Sequence, residues 1–186
     1  MSNDILKDFI SLAATSLEAE DRKILGLVRL RGANGGILRL VNERYYQFIC
    51  WRAAIARWEA TVEVGFHDLV LRRSEDDTHF AVFEMKGWWA PKGETEIPDI
   101  KSDIEKLKRL APGQLGFLIV FSGNPNPPTK DENINWLESK IFEGEPPHCE
   151  SYSFQTWERD GSEREFWIAG WQVYPSQHAP ASQTLL

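Results

Sequence analysis

Side chains that hold soft metals are scarce in this sequence. Its 186 residues include two cysteines, Cys50 and Cys149, and four histidines. There is no CxxC pair and the histidines are scattered, so no zinc-site spacing and no disulfide framework is present. Any catalytic metal would have to be held by carboxylates, which favours a hard ion such as magnesium or manganese. Long apolar runs are missing too. None approaches the roughly 18 to 20 residues needed to cross a bilayer. The first ten residues carry Asp4, Lys7 and Asp8 and do not resemble a signal peptide. The expectation is a cytoplasmic chain without membrane contact. Excess positive charge is also lacking: the formal net charge is −7. A protein of this balance does not grip nucleic acid through its overall field, and only local basic patches can do so. The glycine-rich segment 31–36 is not followed by the Lys-Ser/Thr of a phosphate-binding loop and reads as a turn.

What is present is a globular composition, 42% hydrophobic and 26% charged, of a length that suits one domain over 1–186. Residues 3–18 have helical spacing, and 24–30 fit either more helix or a short strand. From Val41 onward the segment 37–58 predicts an amphipathic helix, with Glu43 near its start. Residues 60–71 alternate, so that Val62, Val64, Phe66, Asp68 and Val70 would share one face of a long strand. A polar turn at 72–78 leads to a second strand, 79–86, with Phe80, Val82, Glu84 and Lys86 on one face. Ile97, Ile100, Ile104, Leu107 and Leu110 mark a helix over 97–110. The continuous apolar run 115–121 predicts a strand buried on both faces. A helix is expected at 131–142, and strands at 152–157 and 165–174 around an Asp160-Gly161 turn. Residues 175–186 read as a loose tail. Eight tryptophans mostly serve the core. Trp88 and Trp89, between Gly87 and Pro91, are the pair expected to be partly exposed, with packing as their first role and stacking on bases as the functional alternative. Cys50 lies in an apolar helical pattern and reads as a buried thiol.

The chemistry concentrates in three polar residues on apolar strands. Glu84 and Lys86 are two apart and point the same way. If the two strands pair, Asp68 meets them at one edge of the core. Two carboxylates buried together are costly unless neutralised. A divalent cation neutralises them directly, and Lys86 helps by neighbouring charge. Such a set suits phosphodiester hydrolysis: the metal acidifies a water ligand and offsets transition-state charge, while the lysine orients the water and stabilises developing negative charge.

Asp68 and Glu84-Met85-Lys86, preceded by a helix bearing Glu43 and followed by a helix and a buried strand, resemble the PD-(D/E)XK nuclease superfamily, whose fold is restriction-endonuclease-like. The resemblance covers about residues 40–122. It implies an α/β fold with an αβββαβ core, a central mixed sheet flanked by helices, and here an added C-terminal hairpin. It implies that Asp68 and Glu84 bind Mg2+ or Mn2+, that Glu43 is an additional acidic group near the metal, and that Lys86 is the catalytic lysine. The substrate it implies is nucleic acid, DNA ahead of RNA, and a homodimer is compatible with it. The sequence departs from the family pattern in having His67 where the motif has proline. It also shows one long strand and one further strand where the family has three, so the long strand must bend into two or a short strand must precede it.

Each residue also has an ordinary reading. Asp68 can be a strand-end acid, Glu84 and Lys86 a cross-strand ion pair, and Glu43 an exposed helix carboxylate. Asp99, Lys101, Asp103 and Lys106 alternate in sign, as on a solvated helix face, although Asp103 or Lys106 would border the site in the resembled fold. His67 is a structural histidine or a supporting residue of the site. Arg72 and Arg73 are turn charges that could also meet phosphates. The alternative function is a catalytically silent, acidic protein-binding or immunity-type module, which the net charge and the tryptophans suit.

Overall fold

A computed structural model describes residues 2–39, 42–65, 67–72, 79–89 and 93–175. Helix α1 runs unbroken from Ser2–Arg29, so segment 24–30 continues the helix. Leu6, Phe9, Ile10, Ala13, Ala14 and Leu17 are all buried and recur at i, i+3 and i+4, which gives α1 one apolar stripe. The segment expected to form a second helix from Val41 divides. A single 3-10 turn spans Ile37–Arg39. Helix α2 then spans Glu43–Ala54, opened by Asn42, whose side chain accepts from the Arg44 N–H. That acceptance satisfies an N–H the helix itself cannot pair.

Six strands follow, interrupted by two helices: β1 (Glu59–Val64), β2 (His67–Arg72), β3 (His79–Trp88), α3 (Ile97–Leu107), β4 (Leu115–Ser122), α4 (Lys130–Ile141), β5 (Cys149–Trp157) and β6 (Glu163–Val173). They form one mixed sheet in the order β1-β2-β3-β4-β6-β5. Only β3 and β4 are parallel, and α3 makes the crossover between them; every other neighbouring pair is antiparallel. The described residues therefore form an α/β fold of four α-helices on a six-stranded sheet. No described helix is long and apolar enough to cross a membrane.

The long strand expected over 60–71 is two strands. Gly65, at φ +60, lies in the link that reverses the chain. Glycine takes this left-handed conformation without the Cβ penalty. The reversal corrects the face assignment. Val62 pairs with Leu69, on the face packed by α1 and α2, whereas Val70 packs on the opposite face. Asp68 and Val70 share that opposite face by strand alternation. Of the turn expected at 72–78, Arg72 instead ends β2, and 73–78 lie outside the described residues, as do Phe66 and the tail from 176 onward.

The sheet separates two apolar layers. Leu69, Leu71, Phe83, Met85, Phe117, Ile119 and Phe121 meet α1 and α2. Val70, Val82, Trp88, Leu118, Val120, Trp167 and Trp171 meet α3 and α4. Strand β4 serves both layers, as its unbroken apolar sequence predicts, and β3 does so except at its polar positions. Cys50 is fully buried and free, and burial pushes its thiol far up. Trp88 corrects the expectation of exposure. It is wholly buried, lies flat on Trp136 with ring centroids 5.5 Å apart, and donates from Nε1 to the Gly93 carbonyl at 2.9 Å. It continues the Val82–Glu84–Lys86 face of β3 and there meets Trp136 of α4. Trp89, one residue on, is half-buried.

A buried acid ties the 3-10 turn to the rest of the fold. Asp21 on α1 is 1% exposed. It accepts from the Ile37 N–H at 2.7 Å and from the Thr156 hydroxyl on β5. Burial raises its pKa, opposed by these two hydrogen bonds. Gly36 passes so close that a Cβ there would lie 2.0 Å from Asp21 Oδ1. Asp21→Ala leaves the Ile37 N–H without its acceptor. Stability in urea is expected to fall by about 1–3 kcal/mol, whereas a surface carboxylate such as Glu105 should tolerate the same change.

Candidate active site

The end of β3 shows why these acids sit where they do. Strand β2 pairs with β3 only as far as Leu69 opposite Phe83. Beyond that point no described strand lies beside this edge of β3, and its backbone groups need other partners. Side chains supply them. Asp68 Oδ2 accepts from the Met85 N–H at 2.7 Å, and Gln47 Nε2 donates to the Met85 carbonyl at 3.3 Å. Glu43 Oε2 accepts from the Gly87 N–H at 2.9 Å, and Glu96 Oε1 accepts from the Trp89 N–H at 3.3 Å. Two of the predicted site residues, Asp68 and Glu43, are thus fixed through one oxygen each onto the strand that carries the other two.

Glu84 and Lys86 point from β3 toward α3. Glu84 is 1% exposed. Its Oε1 lies 2.6 Å from His67 Nδ1 and its Oε2 3.6 Å from Lys106 Nζ. Lys86 Nζ stands 3.5 Å from Glu43 Oε1 and 3.5 Å from Asp103 Oδ2. Asp103 is 4% exposed and accepts from Lys106 Nζ at 2.6 Å. This overturns the reading of Asp103 as part of a solvated face. Its turn of α3 lies over the end of β3, and only Lys106 of the pair reaches solvent.

All four residues predicted from sequence, Glu43, Asp68, Glu84 and Lys86, therefore gather at one end of β3, joined by His67, Asp103 and Lys106. The sequence singles out all three of these only as neighbours of the site. Gln47 was missed; its signal was its place one helical turn after Glu43, on the same face of α2. Counting Glu43, Asp68, Glu84 and Asp103 against Lys86 and Lys106, four negative charges meet two positive ones.

The electrostatics follow from that excess. The Asp68 carboxyl is pushed from its ordinary 3.8 up to about 6, first by burial and then by the charges of Glu84, Glu43 and Asp103, against the opposing Met85 N–H bond. Burial pulls Lys86 down, but Glu43, Asp103, Asp68 and Asp99 more than offset it, and its pKa lies above the usual lysine value. Lys106 behaves likewise through burial, its bond to Asp103 and the charge of Glu84. Both lysines are thus ammonium ions at neutral pH. They can stabilise negative charge but are poorly suited to take a proton.

The raised pKa of Asp68 has a measurable sign. Between 3.8 and about 6 the folded state holds the Asp68 proton more tightly than the unfolded chain does. This group therefore makes the fold less stable as pH rises through that window. Asparagine can still accept from Met85 but does not ionise. The metal-free Asp68→Asn variant is expected to gain stability relative to wild type from pH 4 to pH 6. A difference that stays flat over that range in urea titrations would contradict the raised pKa.

The donor set fits a hard divalent cation in kind: it is rich in carboxylates and carries surplus negative charge. The donors are not drawn together. Among the described residues, no group of three or more His, Cys, Asp or Glu side chains stands in metal-holding geometry, because Glu84 is engaged by His67 and Lys106 while Glu43 faces Lys86. Compared with protein-family models, curated proteins and solved structures, the chain matches none.

Proposed function

We propose that the protein is a metal-dependent nuclease of the PD-(D/E)XK type, hydrolysing phosphodiester bonds in nucleic acid, with DNA favoured over RNA. The observation that carries this reading is the convergence of Asp68, Glu84 and Lys86 on one end of β3, with Glu43 reaching the same point from α2. The element order also supports it. Helix α2, the antiparallel β1-β2-β3 meander, the α3 crossover and parallel β4 follow the αβββαβ succession of the restriction-endonuclease-like fold.

In this reading Asp68 and Glu84 hold Mg2+ or Mn2+, with Glu43 beside them. When bound, the ion supplies a Lewis acid that offsets charge at the scissile phosphate. The chain's own residues do the rest. Lys86, held charged by its acidic neighbours, stabilises the negative charge that develops on phosphate oxygens. His67 holds Glu84 in orientation through the 2.6 Å contact, as supporting partners commonly do for metal-binding carboxylates. Lys106 balances Glu84 and Asp103 and, being exposed, can meet an incoming phosphate.

The rival reading is a catalytically silent, acidic module that binds a protein partner. One observation favours it: Lys86 and Lys106 already neutralise part of the cluster, and among the described residues no three-donor group is assembled. One assay separates the two. Purified protein is incubated with single- and double-stranded DNA and RNA in Mg2+ or Mn2+, beside Asp68→Ala and Lys86→Ala. Cleavage lost in both variants is the expected result. Absence of cleavage on every substrate, with no metal binding by calorimetry, would leave the module.

A further inference from the structure

We infer that an arginine-lined groove at the tip of the β5–β6 hairpin binds the phosphate backbone of a nucleic-acid strand, extending the candidate active site along the same end of the sheet. This rests on the nuclease reading for where the strand is cut, but the binding stands on separate observations.

The first is a local reversal of charge. In a chain of net charge −7, the stretch between Asp21 and Glu43 contains Arg22, Lys23, Arg29, Arg31 and Arg39 and no acidic residue. The fold brings the last part of this stretch against the hairpin. The Gly36 N–H donates to the Trp157 carbonyl at 2.8 Å. Between the two segments lies a groove of about 510 Å³ lined by Leu38, Arg39, Glu158, Arg159, Asp160 and Arg164.

The two acids of that groove are engaged locally. Asp160 accepts from the Ser162 N–H at 2.9 Å and from its hydroxyl at 2.7 Å. Glu158 accepts from Arg164 Nε at 3.4 Å. Arg39 is oriented by one bond, Nη1 to the Asn34 carbonyl at 2.6 Å, and Arg159 is exposed. A guanidinium presents five donors in a planar fork, so orienting Arg39 through one leaves others for phosphate oxygens. Beside the groove, Arg29 lies 5.1 Å over the ring of Trp157, adding a flat cationic surface suited to a nucleotide.

Topology sets the distance. Lys86 is level with Val120, and Val120 with Ala169. Strand β6 begins at Glu163, six residues beyond that level and past the same end of β3. At about 3.3 Å per residue this is an offset of about 20 Å along the strands, the length of about six phosphates along one strand of a duplex, with a further sideways step of about 10 Å because β3 and β6 are two strands apart. The connection is also direct in sequence. Arg39 ends the 3-10 turn, and Glu43, four residues on, reaches across to Lys86.

The test measures binding apart from cleavage. Short fluorescent single-stranded and duplex oligonucleotides are titrated by anisotropy in EDTA, across a salt series. The variants are the Arg39→Ala/Arg159→Ala double, Arg159→Ala alone, and a charge-matched control, Lys7→Ala/Lys108→Ala. Lys7 lies about 33 Å from Arg29 along α1. The double variant is expected to raise Kd about ten-fold or more and to reduce the log–log salt slope by about two, while the control matches wild type. Arg159→Ala changes only an exposed side chain and is expected to give about half the slope change, which keeps the result readable if the double variant misfolds. Equal losses in the groove variants and the control would overturn the inference. So would displacement of the oligonucleotide by polyglutamate as readily as by unlabelled oligonucleotide, which would mark a site for acidic protein. Cleavage dependent on Asp68 and Lys86, with binding indifferent to the groove, would sink the groove and leave the nuclease. Groove-dependent binding without cleavage in Mg2+ or Mn2+ would do the reverse, and no binding by wild type in EDTA would sink the groove while the nuclease reading still rests on the cleavage assay.

Discussion

If the protein is the proposed nuclease, Lys86→Ala is expected to slow metal-dependent cleavage about 10²- to 10³-fold, the usual loss when one preorganised charge is removed from a transition state. The expectation comes from where the ammonium sits. It lies at the end of β3, 3.5 Å from carboxylates on two different helices, Glu43 of α2 and Asp103 of α3. Those carboxylates keep it charged and hold it in place before substrate arrives, so little reorganisation is left to the reaction. The loss should fall on the single-turnover rate more than on binding, because the interaction strengthens as phosphate charge grows. Asp103 Oδ2 is buried and has no hydrogen bond, so removing the ammonium 3.5 Å from it also costs stability. Lys86→Gln keeps most of the side chain and a donor, and separates that structural effect from the catalytic one. A folded Lys86→Gln protein that cleaves as fast as wild type would remove Lys86 from the chemistry.

Trp88→Ala is expected to be the most damaging single change to the fold, costing about 3–5 kcal/mol in urea or thermal unfolding. Trp88 is fully buried and is wedged between Trp136, stacked at 5.5 Å, and Trp167, edge-on at 5.9 Å. Truncation leaves a cavity bounded by two rigid rings from α4 and β6, which have little freedom to close it. It also leaves the Gly93 carbonyl without the Nε1 donor. The backbone carbonyl of Trp88 accepts from Ser122 Oγ at 2.8 Å, so the change loosens the same strand end that carries Lys86 and Glu84. Reduced cleavage should therefore accompany the lost stability and should recover in Trp88→Phe, which refills much of the space. A loss below about 1 kcal/mol, the range of surface changes, would show that α4 is not packed on β3 as described.

Local chemistry determined much of this protein before any tertiary contact was known. The apolar run of β4 marked a strand covered on both faces, because only such a strand has no solvent side to keep polar. The stripe Ile100, Ile104, Leu107 marked α3, because helical spacing puts those residues on one face. The two-residue spacing of Glu84 and Lys86 put them on one side of a strand. What lay outside local reach was decided by where the chain turns and which elements end up adjacent. A single glycine, Gly65, turned an apparently continuous alternation into a hairpin and moved Val62 to the face opposite Asp68. Asp103 looked like one member of a solvated charge pattern until the crossover laid its turn of α3 over β3. Trp88 looked exposed beside Gly87 until α4 covered it. The function of Asp68 and Glu43 as partners for β3 backbone depends on β2 leaving β3 after Leu69, an event no residue of β3 encodes. Residue type and spacing thus determined which groups share a face, since that follows from backbone periodicity alone. Only the packed structure decided which faces are buried, which charges meet, and that the arginines near residue 39 lie at the same end of the sheet as the acids, because those are contacts between segments distant in sequence.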